Sequence, residues 1–262
     1  MQGSYQFEKL ESRGDEAEQL AVRANLRLDT FPSLLEKHGF PKQGKILEIG
    51  CAQGIRSRAL SSIDSEVLVI GLDRSPELLE LARQQEYPPN LEFAEGDVYD
   101  LPFPEASFDF VYARLVFMHL TQPRLALENI LRVLKPGGRL LIEDADRDCM
   151  FFEPSTKRFQ NFWVKVQEGQ RKLGGDPNVG RRLATYLIEA GFQDLNIETQ
   201  PIIGGGSEIK FLAETLMPSL NVYLDPSDRS EGQQAIDDLM KLSDLPTAKM
   251  YHFWFAVSGR KA

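Results

Sequence analysis

Seven consecutive residues hold the densest chemistry in the chain: Glu48-Ile49-Gly50-Cys51-Ala52-Gln53-Gly54. They follow the short apolar run Lys45-Ile46-Leu47 and precede a helical stretch from Ile55 to Ser62. Small residues at 50, 52 and 54 permit a tight turn and let a ligand approach the backbone closely. In a doubly wound sheet, this strand-to-helix turn is where a nucleotide-like ligand sits. Taken alone, such a loop is weak evidence, because an ordinary strand-to-helix turn has the same residues, so its context decides. Asp73 ends the next apolar run, about twenty residues on, where an acid accepts hydrogen bonds from ribose hydroxyls. The spacing is G-x-A-x-G, not the G-x-G-x-x-G of pyrophosphate sites. Glu48 would repel a pyrophosphate and suits a positively charged nucleoside.

His119 is the one histidine placed to act as a general base, the commonest role for that side chain in catalysis. It follows Val116-Phe117-Met118, and the competing reading is a loop-orienting residue before the helix that starts at Pro123. Asp144 and Asp146 are alternative bases on the same rim, or solvated loop charges. His38 and His252 have no carboxylate or cysteine at ligand spacing, and Cys51 and Cys149 fit neither a disulfide framework nor a paired zinc site. No metal is expected.

Positioning these residues requires strands that alternate with helices. Strands are predicted at 45–50, 66–73, 91–94, 108–113, 139–143, 195–199 and 251–257. Helices are expected at 55–62, after the Ser75-Pro76 cap, at 124–134 and near 181–190, with one or two more over 15–38 broken at Pro32. The pattern argues for a mostly parallel sheet covered on both faces. Gly204-Gly205-Gly206-Ser207 reads as a flexible loop and Asp225–Gly232 as a polar turn. The aromatic cluster Phe151, Phe152, Phe159, Phe162 and Trp163, and the run Phe211, Leu212, Leu216, Met217, Leu220 and Tyr223, are candidate walls for an apolar ligand.

The chain has 262 residues, 30 basic against 39 acidic, a net charge of −9. That balance speaks against a nucleic-acid partner, which calls for a basic face. The first nine residues are polar and unlike a signal peptide. No apolar run reaches bilayer length. A cytoplasmic globular protein is expected.

From Lys45 to Asp144 the chain resembles the class I S-adenosylmethionine-dependent methyltransferases, in the small-molecule branch that includes quinone and sterol methylating enzymes. Residues 47–54 are similar to the family's first motif, with Ala52 in place of the middle glycine. Gly71-Leu72-Asp73-Arg74-Ser75 is similar to the acidic second motif. Gly96-Asp97-Val98, then Leu101-Pro102-Phe103 and Ser107-Phe108-Asp109, resemble the adenine-contact region and fourth strand. Leu131 to Gly138 resembles the turn before the fifth strand.

The resemblance implies a Rossmann-like α/β fold: a doubly wound, mostly parallel seven-stranded sheet whose last strand is antiparallel, with N-terminal helices as a flap. It implies one methyltransferase domain over 1–262, comprising the flap (1–43), a cofactor-binding half (44–146), substrate-specificity insertions (147–248) and the last strand (249–262). S-adenosylmethionine is the implied cofactor. Glu48, Gly50, Cys51, Ala52 and Gly54 would surround its methionine end. Asp73 and Arg74 would hold the ribose; Gly96, Asp97 and Val98 would meet the adenine. Arg114 would lie near the methionyl part through its backbone. Tyr5 and Arg23 fall where related enzymes close a flap, and Arg23 either pairs with the methionine carboxylate or is a solvated helix charge. The implied reaction moves a methyl group to O, N or C of a small, partly apolar acceptor. A nicotinamide-dependent oxidoreductase and a non-catalytic binder of the same ligand are the rival readings.

Overall fold

The computed structural model describes residues 4–5 and 13–262. Residues 1–3 and 6–12, part of the expected flap, lie outside the described residues. Two helices come first, α1 (Arg13–Asn25) and α2 (Phe31–Lys37), the second with Pro32 in its opening turn. The segment expected to hold the cofactor follows as β1 (Gly44–Ile49), α3 (Ile55–Ser61), β2 (Val67–Asp73), α4 (Pro76–Arg83), β3 (Leu91–Glu95), β4 (Phe108–Arg114) and α5 (Pro123–Val133). Ser75 caps α4 as its sequence promised: its hydroxyl accepts from the Leu78 amide at 3.3 Å, and Pro76 occupies the first helical position. The rest comprises β5 (Leu134–Glu153), α6 (Lys157–Lys172), α7 (Leu183–Ala190), β6 (Gln193–Gly204), α8 (Gly206–Thr215), α9 (Arg229–Ser243) and β7 (Lys249–Arg260).

The seven strands form one sheet in the order β3-β2-β1-β4-β5-β7-β6. Pairings from β3 to β5 are parallel, and β7 runs antiparallel to both of its neighbours. This is the expected doubly wound sheet with a reversed last strand. Sequence order reverses between β1 and β4, so a crevice opens at their carboxyl ends, where such folds place ligands. Leu47, Ile49, Val111 and Ile142 lock these central strands into one core, each buried to 3% exposure or less. Burial of such a side chain is worth about 1.5–3 kcal/mol.

Three expectations fail in the second half. Gly204–Ser207 is not a flexible loop: β6 runs into Gly204 and α8 begins at Gly206, with the Glu208 carboxylate accepting from the Gly205 amide at 2.8 Å. A Cβ on Gly206 would strike the Ser243 carbonyl, so glycine is there to seat α8 against α9. The polar turn at 225–232 gives way at Arg229 to α9, whose inner face is Ala235, Ile236, Leu239 and Leu242. Finally, β5 continues ten residues past Glu143, to Glu153, and pairs with β7 along most of that extension. These elements build a second apolar cluster that unites α6, α8 and α9 over the extended end of the sheet.

Gly54 tests the loop's backbone argument. Its φ is +70°, and a Cβ there would collide with the Phe93 ring. Left-handed strain plus overpacking leads us to expect Gly54→Ala to lose about 2–4 kcal/mol of stability. Urea unfolding reads this directly; an unshifted midpoint removes the strain argument.

Candidate functional site

A cavity of about 360 Å³ opens at the carboxyl ends of β1, β2 and β4. Gly50, Cys51 and Ala52 form its floor. Gly50 is left-handed (φ +72°), and a Cβ there would stand 2.5 Å from Val116 Cγ2. Ala52 is left-handed as well (φ +48°), which explains why a glycine is usual at that place. Leu115, also in the cavity lining, shares that conformation (φ +54°). Two non-glycine residues held at positive φ in the lining of one cavity mark a backbone shaped for something other than its own stability.

Asp73 shapes the loop directly. One carboxylate oxygen accepts from the Ala52 amide at 2.8 Å, and the other accepts from the Ser75 amide at 2.9 Å. Burial pushes its pKa upward, opposed by these amides and by Arg74. Glu48 is 4% exposed and accepts a hydrogen bond from the Ser57 hydroxyl. Burial raises its pKa to about 7 against the pull of Ser57, Arg56 and Arg114. A carboxyl group so poised is charged readily when a cation arrives and only with difficulty otherwise. Gly96, Asp97 and Val98 line the neighbouring wall, and the Asp97 carboxylate accepts from the Tyr99 amide at 2.9 Å.

The N-terminal segment covers this floor. Tyr5, Glu16 and Arg23 all line the cavity. The Tyr5 hydroxyl donates to Glu16 Oε1 at 3.0 Å, and Arg23 forms an ion pair with the same oxygen. Burial, then Glu16, drives the Tyr5 pKa upward. Arg74 donates to the Tyr5 carbonyl, Gln53 Nε2 to the Ala17 carbonyl at 2.6 Å, and Arg114 Nη1 to the Arg23 carbonyl at 3.1 Å. Arg23 therefore spends its charge on Glu16, a partner two helical turns back that the sequence reading passed over.

Arg114 lines the cavity as expected, and its side chain is unusual. Its guanidinium stacks 4.6 Å over the Trp254 ring, and Nε and Nη2 are buried without a hydrogen-bond partner. Burial, then Arg56, lowers its pKa to about 10. Its side chain thus keeps two buried donors that no group among the described residues satisfies.

His119 also faces the cavity. Its Nδ1 lies 3.1 Å from Ser4 Oγ and 3.3 Å from the Tyr223 hydroxyl, and its ring tilts against Tyr5. Burial, then Arg147, Arg23 and Arg74, lowers its pKa to about 3. Asp144 and Asp146 are neither solvated nor on the cavity wall; both are fully buried. Asp144 accepts from the Met118 and Ala145 amides, and burial raises its pKa to about 7. Asp146 is bound by Asn178 and Arg181, which with the Asp148 amide hold its pKa low against burial. These two acids are committed to fixing the rim and are not free carboxylates.

Of the expected cofactor residues, Tyr5, Arg23, Glu48, Gly50, Cys51, Ala52, Asp73, Arg74, Gly96, Asp97, Val98 and Arg114 meet in this cavity, and Gly54 does not. Gly54 sits at the start of α3 and sets its direction. Trp163, Phe211, Leu212, Leu216, Leu220 and Tyr223 supply the far wall, as expected. Phe152, Phe159, Phe162 and Met217 are core instead, and Phe151 stacks on Tyr251 at the surface. Arg147 and Trp254 line the cavity without having been singled out, and so does His252, which was weighed only as a metal ligand. Arg147 lies two positions beyond Ala145, and strand alternation would have put both on one face had β5 been read to its full length. Among the described residues, no cluster of three or more potential ligands is arranged to hold a metal ion.

The strand order, with its reversed β7 and an acid-flanked loop at the crevice, is that of the class I S-adenosylmethionine-dependent methyltransferase fold. Residues 47–142 match the family described as a methyltransferase domain. An uncharacterized methyltransferase of Schizosaccharomyces pombe is 32% identical over 170 residues, covering 60% of this chain and 60% of that protein. An O-methyltransferase of Aspergillus nomiae is 39% identical over 156 residues, covering 57% of this chain and 64% of its own length. The chain thus spans under two thirds of these curated relatives. Among solved structures, the Haemonchus contortus phosphoethanolamine N-methyltransferase 2, in complex with phosphomonomethylethanolamine and S-adenosylhomocysteine, superposes with a TM-score of 0.60. Identity there is 20%, over 97% of this chain and 60% of that one. No helix among the described residues is long and apolar enough to cross a membrane.

Proposed function

We propose that this chain is an S-adenosylmethionine-dependent methyltransferase acting on O, N or C of a small, partly apolar acceptor. One observation carries the reading: a single cavity joins an acid-flanked small-residue floor to a wall of Trp163, Phe211, Leu216, Leu220 and Tyr223. The donor fits the residues present. Glu48 suits its cationic end, Asp73 its ribose, and the orphaned nitrogens of Arg114 its carboxylate. When bound, the sulfonium supplies the electrophilic methyl group.

The chain's own contribution is alignment and exclusion of water. Tyr5, Glu16 and Arg23 close one side, and the apolar wall holds the acceptor on the other. His119 stays neutral at physiological pH and offers a hydrogen bond to the acceptor rather than storing its proton. Relatives named O-methyltransferases make oxygen the first acceptor atom to test. The chain would work as one domain in the cytoplasm, with no nucleic-acid partner, in keeping with its charge of −9.

Titration calorimetry against S-adenosylmethionine, S-adenosylhomocysteine and NAD tests the reading. We expect saturable binding of the first two, with S-adenosylhomocysteine released on turnover of a phenolic or carboxylic acceptor panel. Binding of NAD alone would select the oxidoreductase. Donor binding with no turnover on any acceptor would select a non-catalytic binder.

A further inference from the structure

We propose that Arg147 is a specificity residue that anchors a carboxylate on the acceptor. The inference rests on the reading of the cavity as a joint donor and acceptor site. Arg147 is 6% exposed and lines the cavity on its far side, away from the loop at 50–52. Its guanidinium lies between two rings, 5.3 Å from Trp163 and 5.8 Å from Tyr223. Nε donates to Gln170 Oε1 at 2.9 Å, and the Gln170 amide nitrogen donates to the Met118 carbonyl at 2.9 Å. The Trp163 indole donates to the Arg147 carbonyl at 2.6 Å. The side chain is thus clamped in place before any ligand arrives.

Its terminal edge is different. Among the described residues, no carboxylate pairs with Nη1 or Nη2, and both remain reachable from the cavity. The acid in its field, Asp144, is committed to backbone amides. A buried guanidinium with no counter-charge is costly, and its two parallel N–H groups match a carboxylate in shape. The donor's own carboxylate is already assigned, in the proposed reading, to Arg114, whose guanidinium packs on Trp254 instead of on Trp163 and Tyr223. The acceptor should therefore be an apolar or aromatic acid, its carboxylate on Arg147 and its body against Trp163 and Tyr223.

Calorimetry on the full chain saturated with S-adenosylhomocysteine tests this, using 3-phenylpropanoate and octanoate against their neutral amides, with phenyl phosphate as a third anion. We expect each acid to bind at least tenfold tighter than its amide. Arg147→Met should bring the acids down to amide level, leave S-adenosylhomocysteine affinity within twofold, and leave the melting temperature of the ligand-free protein unchanged or higher. Arg147→Lys should keep part of the preference. Equal binding of acid and amide by the unaltered protein, or no saturable binding of either acid, overturns the proposal without any variant. So does an acid preference that survives Arg147→Met. Loss of S-adenosylhomocysteine affinity in that variant would give Arg147 to the donor instead, and binding of phenyl phosphate in place of both acids would replace the carboxylate. Should S-adenosylhomocysteine fail to bind the unaltered protein, the methyltransferase reading fails separately, and the acid–amide comparison is made on the ligand-free chain.

Discussion

Replacing Asp73 by alanine is expected to weaken S-adenosylhomocysteine binding by about 1–3 kcal/mol, the worth of charged hydrogen bonds. The loss has two physical sources. The ribose hydroxyls lose their acceptor, and the Ala52 and Ser75 amides lose the carboxylate that now holds them at 2.8 and 2.9 Å. Freed from that tie, the left-handed turn at Ala52 has less reason to persist. Melting temperature should fall alongside, because two inward-facing donors go unsatisfied. Asp73→Asn keeps one acceptor oxygen and should recover part of the stability but little of the affinity. Calorimetry and thermal unfolding on the same preparations separate the two losses; unchanged affinity in the alanine variant removes Asp73 from the site.

Glu48 should make donor binding depend on pH. Burial holds its pKa near 7 in the ligand-free protein, so below that value the carboxyl is neutral. A cationic ligand favours the charged form, so binding expels the proton and affinity should rise up to tenfold per pH unit from 6 to 7, then level off. Stability runs the opposite way. The unfolded carboxyl ionises from about 4.5, whereas the folded one resists to about 7, so folding free energy declines as pH climbs between those values. The full loss is about 3 kcal/mol, and Glu48→Gln should recover much of it at pH 8. That variant should bind the donor weakly at every pH while melting at a higher temperature. A Glu48→Gln protein with the same pH slope as the unaltered one would assign the titration elsewhere. The other buried carboxyl near 7, Asp144, lies off the cavity wall.

The strands and turns of residues 44–146 were legible because their signals are local. Glu48, the small-residue turn and Asp73 lie at fixed distances along three consecutive elements, and alternating β-branched runs mark the strands between them. The acceptor half was not, because its determinants are long-range. Gly206 reads as a loop residue by propensity, yet it opens a helix because α9 leaves no room for a Cβ. Gly169 lies within α6 for a like reason, with the Tyr223 carbonyl pressed where a side chain would go. Asp144, Asp146 and Arg147 look like a charged surface loop in sequence. They are buried because amides, Arg181 and a ring pair receive them, and those partners come from segments that pattern reading cannot bring together. Arg23 illustrates the same limit at shorter range: its charge was visible, while its commitment to Glu16 follows from the helix face they share.

A crystal structure of the chain with S-adenosylhomocysteine addresses the central claim most directly. We expect the homocysteine beside Glu48 and Arg114, the ribose on Asp73, the adenine against Val98, and the sulfur facing the chamber lined by His119 and Arg147. Density for the ligand anywhere other than over residues 48–54, or an empty loop at saturating concentration, would contradict it.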